Sequence, residues 1–232
     1  YFNTVLYTGN GSTQDITTVG FQPNFTWIKN RSATDSHQLF DAVRGVTNAI
    51  HANTTAAEAA NDDTLTHFLS NGFTTGDDVT TNTDGEGYVA WNWKANGSGS
   101  SNTNGSINST VSVNTGAGFS IVSYTGTGSN ATVGHGLSLT PEIIIVKNRI
   151  TTDEPWFVYS RADPTDFLRL NETDATADNA AIWNDTAPTS SVFSIGDNTG
   201  INGSSQAHIA YCFHSVDGYS KVGAFVGNGN AD

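Results

Sequence analysis

The chain has 232 residues with five Trp, one Cys and no Met, and its 22 acidic residues against nine basic ones give a formal net charge of −13. A lone Cys excludes an intrachain disulfide, the acidic balance argues against nucleic acid or an anionic membrane as partner, and no apolar run reaches the roughly 18 residues that a spanning helix needs. Abundant Thr, Asn, Ser and Gly with little Lys, Glu or Leu is the composition of a turn-rich β-protein, and the missing Met fits a piece processed or excised from something longer.

In chain order, residues 4–7 read as a short strand stopped by Gly9-Asn10-Gly11, a hairpin turn whose glycines supply positive φ. Residues 25–31 are the clearest strand. Phe25, Trp27, Lys29 and Arg31 share one face, and Thr26, Ile28 and Asn30 share the other. Residues 39–43 read as the next strand. The Ala-rich stretch 56–69 has helical composition, but its Asp and Thr residues limit the expectation to a short helical turn. Strands follow at 72–75 and 88–94. Residues 96–118 read as a Gly/Ser/Asn-rich linker, flexible by composition at 95–104 and holding one strand at 106–114, where Ile107, Val111 and Val113 share a parity. Beyond it lie strands at 119–124, 143–149, 156–160 and 207–214. The unbroken Ile143-Ile144-Ile145-Val146 run predicts a strand buried on both faces.

The second series of strands restates the first. Tyr7-Thr8-Gly9-Asn10-Gly11-Ser12 returns as Tyr124-Thr125-Gly126-Thr127-Gly128-Ser129, and the phrase ending Lys29-Asn30-Arg31 as the one ending Lys147-Asn148-Arg149. Phe73-Thr74-Thr75-Gly76 returns as Phe193-Ser194-Ile195-Gly196, and Tyr88-Val89-Ala90-Trp91 as His208-Ile209-Ala210-Tyr211. Residues 222–229 then copy residues 5–11. A repeat this long is a whole domain. The expected organisation is all-β: two tandem homologous β-sandwich, jelly-roll domains at 1–95 and 119–218, the linker at 96–118, and the start of a third repeat or an exchanged strand at 219–232.

The phrases at 25–31, 39–45, 88–94, 117–126, 132–137 and 210–221 resemble a repeat family of marine bacteriophages, found in virion structural proteins of the tail-fibre or decoration type. The resemblance covers most of the chain. It implies a concanavalin-like jelly roll on a virion surface, without assigned catalytic residues. Family members continue through the third copy.

Several residues are candidates for chemistry or contact. Lys29, Arg31, Lys147 and Arg149 recur in a chain poor in cations, either as strand-end charges neutralising Asp35, Asp41, Asp153 and Glu154 or as a ligand or partner site. Asp77, Asp78, Asp84 and Glu86 crowd one stretch with the oxygen ligands that Ca2+ takes, set against a solvated acidic loop. Trp27, Trp91 and Trp93 fall in strands where core packing is the default, which leaves Trp183, in an Asn/Asp/Thr-rich stretch, as the exposed aromatic able to stack on a sugar. His135 reads as a turn histidine and Cys212 as core filler. Val222, Ala224 and Val226 form an apolar parity for an assembly strand.

The expected function is that of a non-enzymatic virion structural protein, a fibre, spike or capsid decoration acting by assembly and host adhesion. Its partners would be other virion proteins or copies of itself, and host surface glycan, with no cofactor, nucleic acid or membrane insertion. A carbohydrate-binding or polysaccharide-degrading module and a self-assembling extracellular filament subunit are the alternatives.

Overall fold

The computed structural model describes residues 1–229. Its first half contains β1 (Phe2–Thr8), β2 (Gln14–Ile16), β3 (Phe25–Asn30), β4 (Gln38–Asp41) and β5 (Gly45–His51). These are followed by β6 (Ala59–Ala60), β7 (Leu65–Leu69), β8 (Gly72–Thr75), the single helical turn α1 (Val79–Asn82) and β9 (Gly87–Trp93). The second half begins with β10 (Ser100–Asn102), β11 (Ser109–Asn114), β12 (Phe119–Thr125), β13 (Ala131–Gly134) and β14 (Ile143–Asn148). It continues with β15 (Phe157–Ser160), β16 (Asp163–Arg169), β17 (Ala177–Asp178), α2 (Ala180–Trp183), β18 (Val192–Ile195), α3 (Thr199–Asn202) and β19 (Ala207–Phe213). The protein is thus nearly all-β.

The duplicated phrases occupy matching places. One large sheet has the order β1-β9-β3-β4-β5-β6; the other contains β12-β19-β14-β15-β16-β17, the same order strand for strand. Registers match too: Phe2 and Phe25 flank Trp93, as Phe119 and Ile143 flank Phe213. Small antiparallel sheets repeat the pattern, β2-β8-β7 in one half and β13-β18 in the other. The Gly9-Asn10-Gly11 turn therefore carries the chain from a large sheet to a small one. It is no hairpin, because β1 pairs β9 whereas β2 pairs β8.

Three apolar cores separate four layers. Val5, Ile28, Phe40, Phe73 and Tyr88 fill the space between the first small sheet and the first large one. Val122, Tyr124, Ile144, Val146, Phe193 and Trp183 do the same in the second half. The third core joins the halves: Phe25, Leu39 and Ile50 from one pack with Phe119, Ile121, Trp156 and Tyr211 from the other. Each large sheet is covered on both faces, which is why β3 is as buried as β14 although only the latter reads that way in sequence.

Three expectations are corrected. The stretch expected to be flexible at 95–104 is ordered: it holds β10, which pairs with β11, the strand expected at 106–114, and Asn96 N donates to Ser112 Oγ at 2.8 Å. The Ala-rich segment 56–69 forms β6 and β7 because sheet partners take its backbone groups. Trp183 is 1% exposed, held in the core by α2, whose N-cap Asn179 accepts from Ala181 N. Among the described residues, Val222, Ala224 and Val226 belong to no strand, and Val222 N donates to Ser215 Oγ at 2.9 Å. The last pairing among them is the isolated bridge Val216↔Ser220, and Phe225 and Val226 stand 94% and 97% exposed. The part of the predicted third copy at 230–232 lies outside the described residues.

Candidate functional site

The recurring phrases build one corner twice. Gly9 and Gly126 press so closely on the backbone beyond that a Cβ would lie 2.1 Å from the Thr83 carbonyl oxygen and 2.4 Å from that of Gly203, so only glycine fits. Asn82 and Asn202, the last residues of α1 and α3, clamp the same loop. The Asn82 amide donates to the Ser12 and Gly76 carbonyls and accepts from Asn10 N; Asn202 does so with Ser129, Gly196 and Thr127. Tyr7 and Tyr124 donate to the Thr81 and Ile201 carbonyls, each at 2.7 Å, and stack on Tyr88 and His208. Asn30 and Asn148 turn the chain out of their strands by accepting from Ser32 and Ala33, and from Ile150 and Thr151. In both Lys-Asn-Arg triplets it is the Asn that does the same work twice.

The flanking cations do different work in each copy. Lys29 donates to the Asn30 and Ala33 carbonyls, and Arg31 is exposed. Lys147 is fully buried and donates to the carbonyls of Thr55 at 3.1 Å and Glu154 at 2.6 Å. Burial lowers its pKa to about 8, with the Glu154 carboxylate opposing the shift. Arg149 grips Glu58 of the first half through Nε and Nη2 at 2.9 and 2.7 Å. Glu58 also receives Arg44 Nη1 at 2.9 Å, and Arg44 Nε reaches Asp41 at 2.5 Å. Tyr211 OH closes the chain on Asp41 at 2.7 Å. Burial disfavours the Arg44 charge, but Asp41, Tyr211 and Glu58 outweigh it and raise its pKa. This clasp across the halves replaces the neutralisation expected of the triplets: Asp35 accepts from Asn30, and Asp41 answers to Arg44.

The four clustered carboxylates do not act as one set. Asp78 caps α1 and accepts from Asn61 at 2.7 Å, and Glu86 accepts from Asn30 at 2.5 Å. Among the described residues, no group of three or more His, Cys, Asp or Glu is placed to hold a metal ion. His135 and Cys212 are buried; burial takes His135 down to about 4, against an opposing bond to Thr189, and pushes Cys212 up to about 12.

Trp27, Trp91 and Trp93 are half-buried, and Trp27 and Trp93 pack against the core that joins the halves, as expected. Trp27 meets Trp91 edge to face at 6.1 Å, and its Nε1 donates to His37 Nδ1 at 2.8 Å. Beside them runs a groove of about 380 Å³ lined by Trp27, His37, Asn53, Leu170, Asn171 and Glu172. An apolar hollow of about 200 Å³, with Trp27, Trp93, Ile143, Ile145 and Leu170 in its walls, continues inward from it. Sequence reasoning missed this groove because its walls come from both halves.

The model of a family described as a domain of unknown function, DUF7483, matches residues 1–232. The chain belongs to the DUF7483 family. The match spans both halves together with the stretch that joins them and the tail. No curated protein and no solved structure matches the chain.

Proposed function

We propose that this DUF7483 chain is a structural module of a virion surface, a fibre, spike or decoration element built from two tandem β-sandwich units and acting by assembly and adhesion. The tail carries this reading. Residues 222–229 copy the opening strand, yet among the described residues positions 223–227 belong to no strand, and Phe225 and Val226 stand almost wholly in solvent. The duplication also supplies an acceptor. In the second half β12 is paired on both sides, by β11 and β19, whereas its counterpart β1 is paired by β9 alone and ends its sheet. An open edge and a strand-like segment that belongs to no strand at 223–227 are complementary, and strand addition pairs the backbone groups of both. The proposed mechanism is therefore addition of one copy's tail along β1 of the next. The resemblance to marine-phage virion repeats supports the setting, and the buried clasp at Asp41, Arg44 and Glu58 supports a rigid load-transmitting body.

Light scattering and electron microscopy of the full chain, with and without residues 220–232, test the reading. The full chain is expected to form concentration-dependent oligomers or filaments, and the truncated chain to remain a folded monomer. Equal assembly by both chains, or a monomer at every concentration for both, contradicts it.

A further inference from the structure

We infer that the groove between the halves is a binding site for neutral glycans, with the Trp27 indole as its stacking platform and His37, Asn53, Asn171 and Glu172 as its hydroxyl-reading rim. This deepens the adhesive part of the proposed function and rests on that reading. The platform is held in place: Trp27 Nε1 donates to His37 Nδ1, and Trp91 braces the ring edge to face. A fixed, half-buried aromatic in the groove wall suits the apolar C–H face of a pyranose, at small entropic cost on binding.

The rim offers both donors and acceptors. With Nδ1 of His37 accepting from Trp27, the neutral ring carries its proton on Nε2, which has no partner within the chain. Burial and nearby Lys29 keep this ring in its neutral form. Asn171 uses Oδ1 to accept from Trp156 N, which leaves its Nδ2 hydrogens for a ligand. Glu172 spends one oxygen on Arg169, at 2.7 Å, and keeps the other. Asn53 Nδ2 holds only a long contact, 3.4 Å, to Ser36 Oγ. Hydroxyl-rich ligands need such mixed, converging groups around an apolar floor.

Charge selects among glycans. The groove has Glu172 and no Lys or Arg among its lining residues, and the chain carries −13 overall. Sulfated and uronic polymers are repelled, and neutral hexose chains are accepted. A peptide strand is a poorer fit, because β4 and β5 at this wall, and β16 opposite, are already paired.

Isothermal titration of the full chain with neutral gluco-, manno- and galacto-hexasaccharides tests the inference, with an alginate hexasaccharide as the anionic comparator and oligomeric state recorded in parallel. At least one neutral probe is expected to bind with Kd below about 1 mM, and the alginate probe is not. Trp27→Ala should weaken binding at least tenfold, and Glu172→Gln or His37→Ala about threefold to tenfold. Thr173→Trp, at an exposed rim position, should block the groove while leaving the melting temperature unchanged. No neutral probe binding at about 10 mM, or binding insensitive to both Trp27→Ala and Thr173→Trp, overturns the inference. Because assembly is read separately, loss of sugar binding with intact oligomers rejects the groove alone, and loss of oligomers with intact sugar binding rejects the tail mechanism alone.

Discussion

The two halves share strand order, register and the loop-clamping corner, yet they fill equivalent interior positions with opposite chemistry. In the first half Thr26 Oγ1 donates to Asn92 Oδ1, and the Asn92 amide donates to the Asn3 and Ala90 carbonyls. Their counterparts by register are Ile144, Cys212 and Ser120, and both Ile144 and Cys212 are fully buried without a polar network. Tyr88 in one corner is His208 in the other, and Lys29 near solvent is Lys147 in the interior. What both copies keep is the set of bonds that route the chain between sheets. Core chemistry is interchangeable as long as volume is filled and polar groups are paired.

The comparison breaks first at the clasp, whose Asp41, opposite Phe25, stands where the second half has Ser160 opposite Ile143. Asp41→Ala strips the partner from a fully buried Arg44 and from Tyr211, and should cost about 3–5 kcal/mol in chemical denaturation. Ser160, which holds the matching register position opposite Ile143, only accepts a 3.3 Å bond from Ala162 N. Its replacement by Ala should fall within about 0.5 kcal/mol. Equal effects would show that the clasp is incidental.

A second test asks whether the shared corner is energetically shared. Asn82→Ala and Asn202→Ala each remove a buried amide that donates to two carbonyls and accepts one backbone N–H. Each should cost about 2–4 kcal/mol, with the two values within about 1 kcal/mol of each other. A large cost in one half alone would separate topology from stability.

The third test uses acid. Burial lowers His208 to about 4, partly offset by its bonds to Thr199 and Gln206, and lowers His135 to a similar value. The unfolded chain takes up these protons near pH 6.5 and the folded chain only near 4, so stability should fall as pH drops through that window. The full effect is on the order of 3 kcal/mol for each histidine. His208→Tyr, which restores the first half's residue, should flatten about half of the slope in urea melts taken from pH 7 to 4. An unchanged slope would mean that His208 is already charged in the fold.

Much of the architecture was legible in the sequence because strands written twice reinforce one another: the positions of β3, β9, β12, β14 and β19 follow from the paired phrases. The short strands β6, β10, β13 and β17 were not legible, since their pairing is decided by neighbours rather than by their own alternation. Trp183 was misread because its stretch forms the helical turn α2, which sets the ring into the second core, and half-buried Trp27 lines a groove whose walls come from both halves, which no local pattern records. Likewise, the Lys-Asn-Arg triplets drew attention through their cations, although the repeated bonds belong to Asn30 and Asn148.

The central claim, that the tail pairs with another copy, is tested most directly by amide hydrogen exchange at residues 223–227 as protein concentration is raised. The account predicts fast exchange in the dilute monomer and strong protection, matched by new protection along β1, once oligomers form. Tail amides that exchange freely in the assembled state, with β1 unchanged, would contradict it.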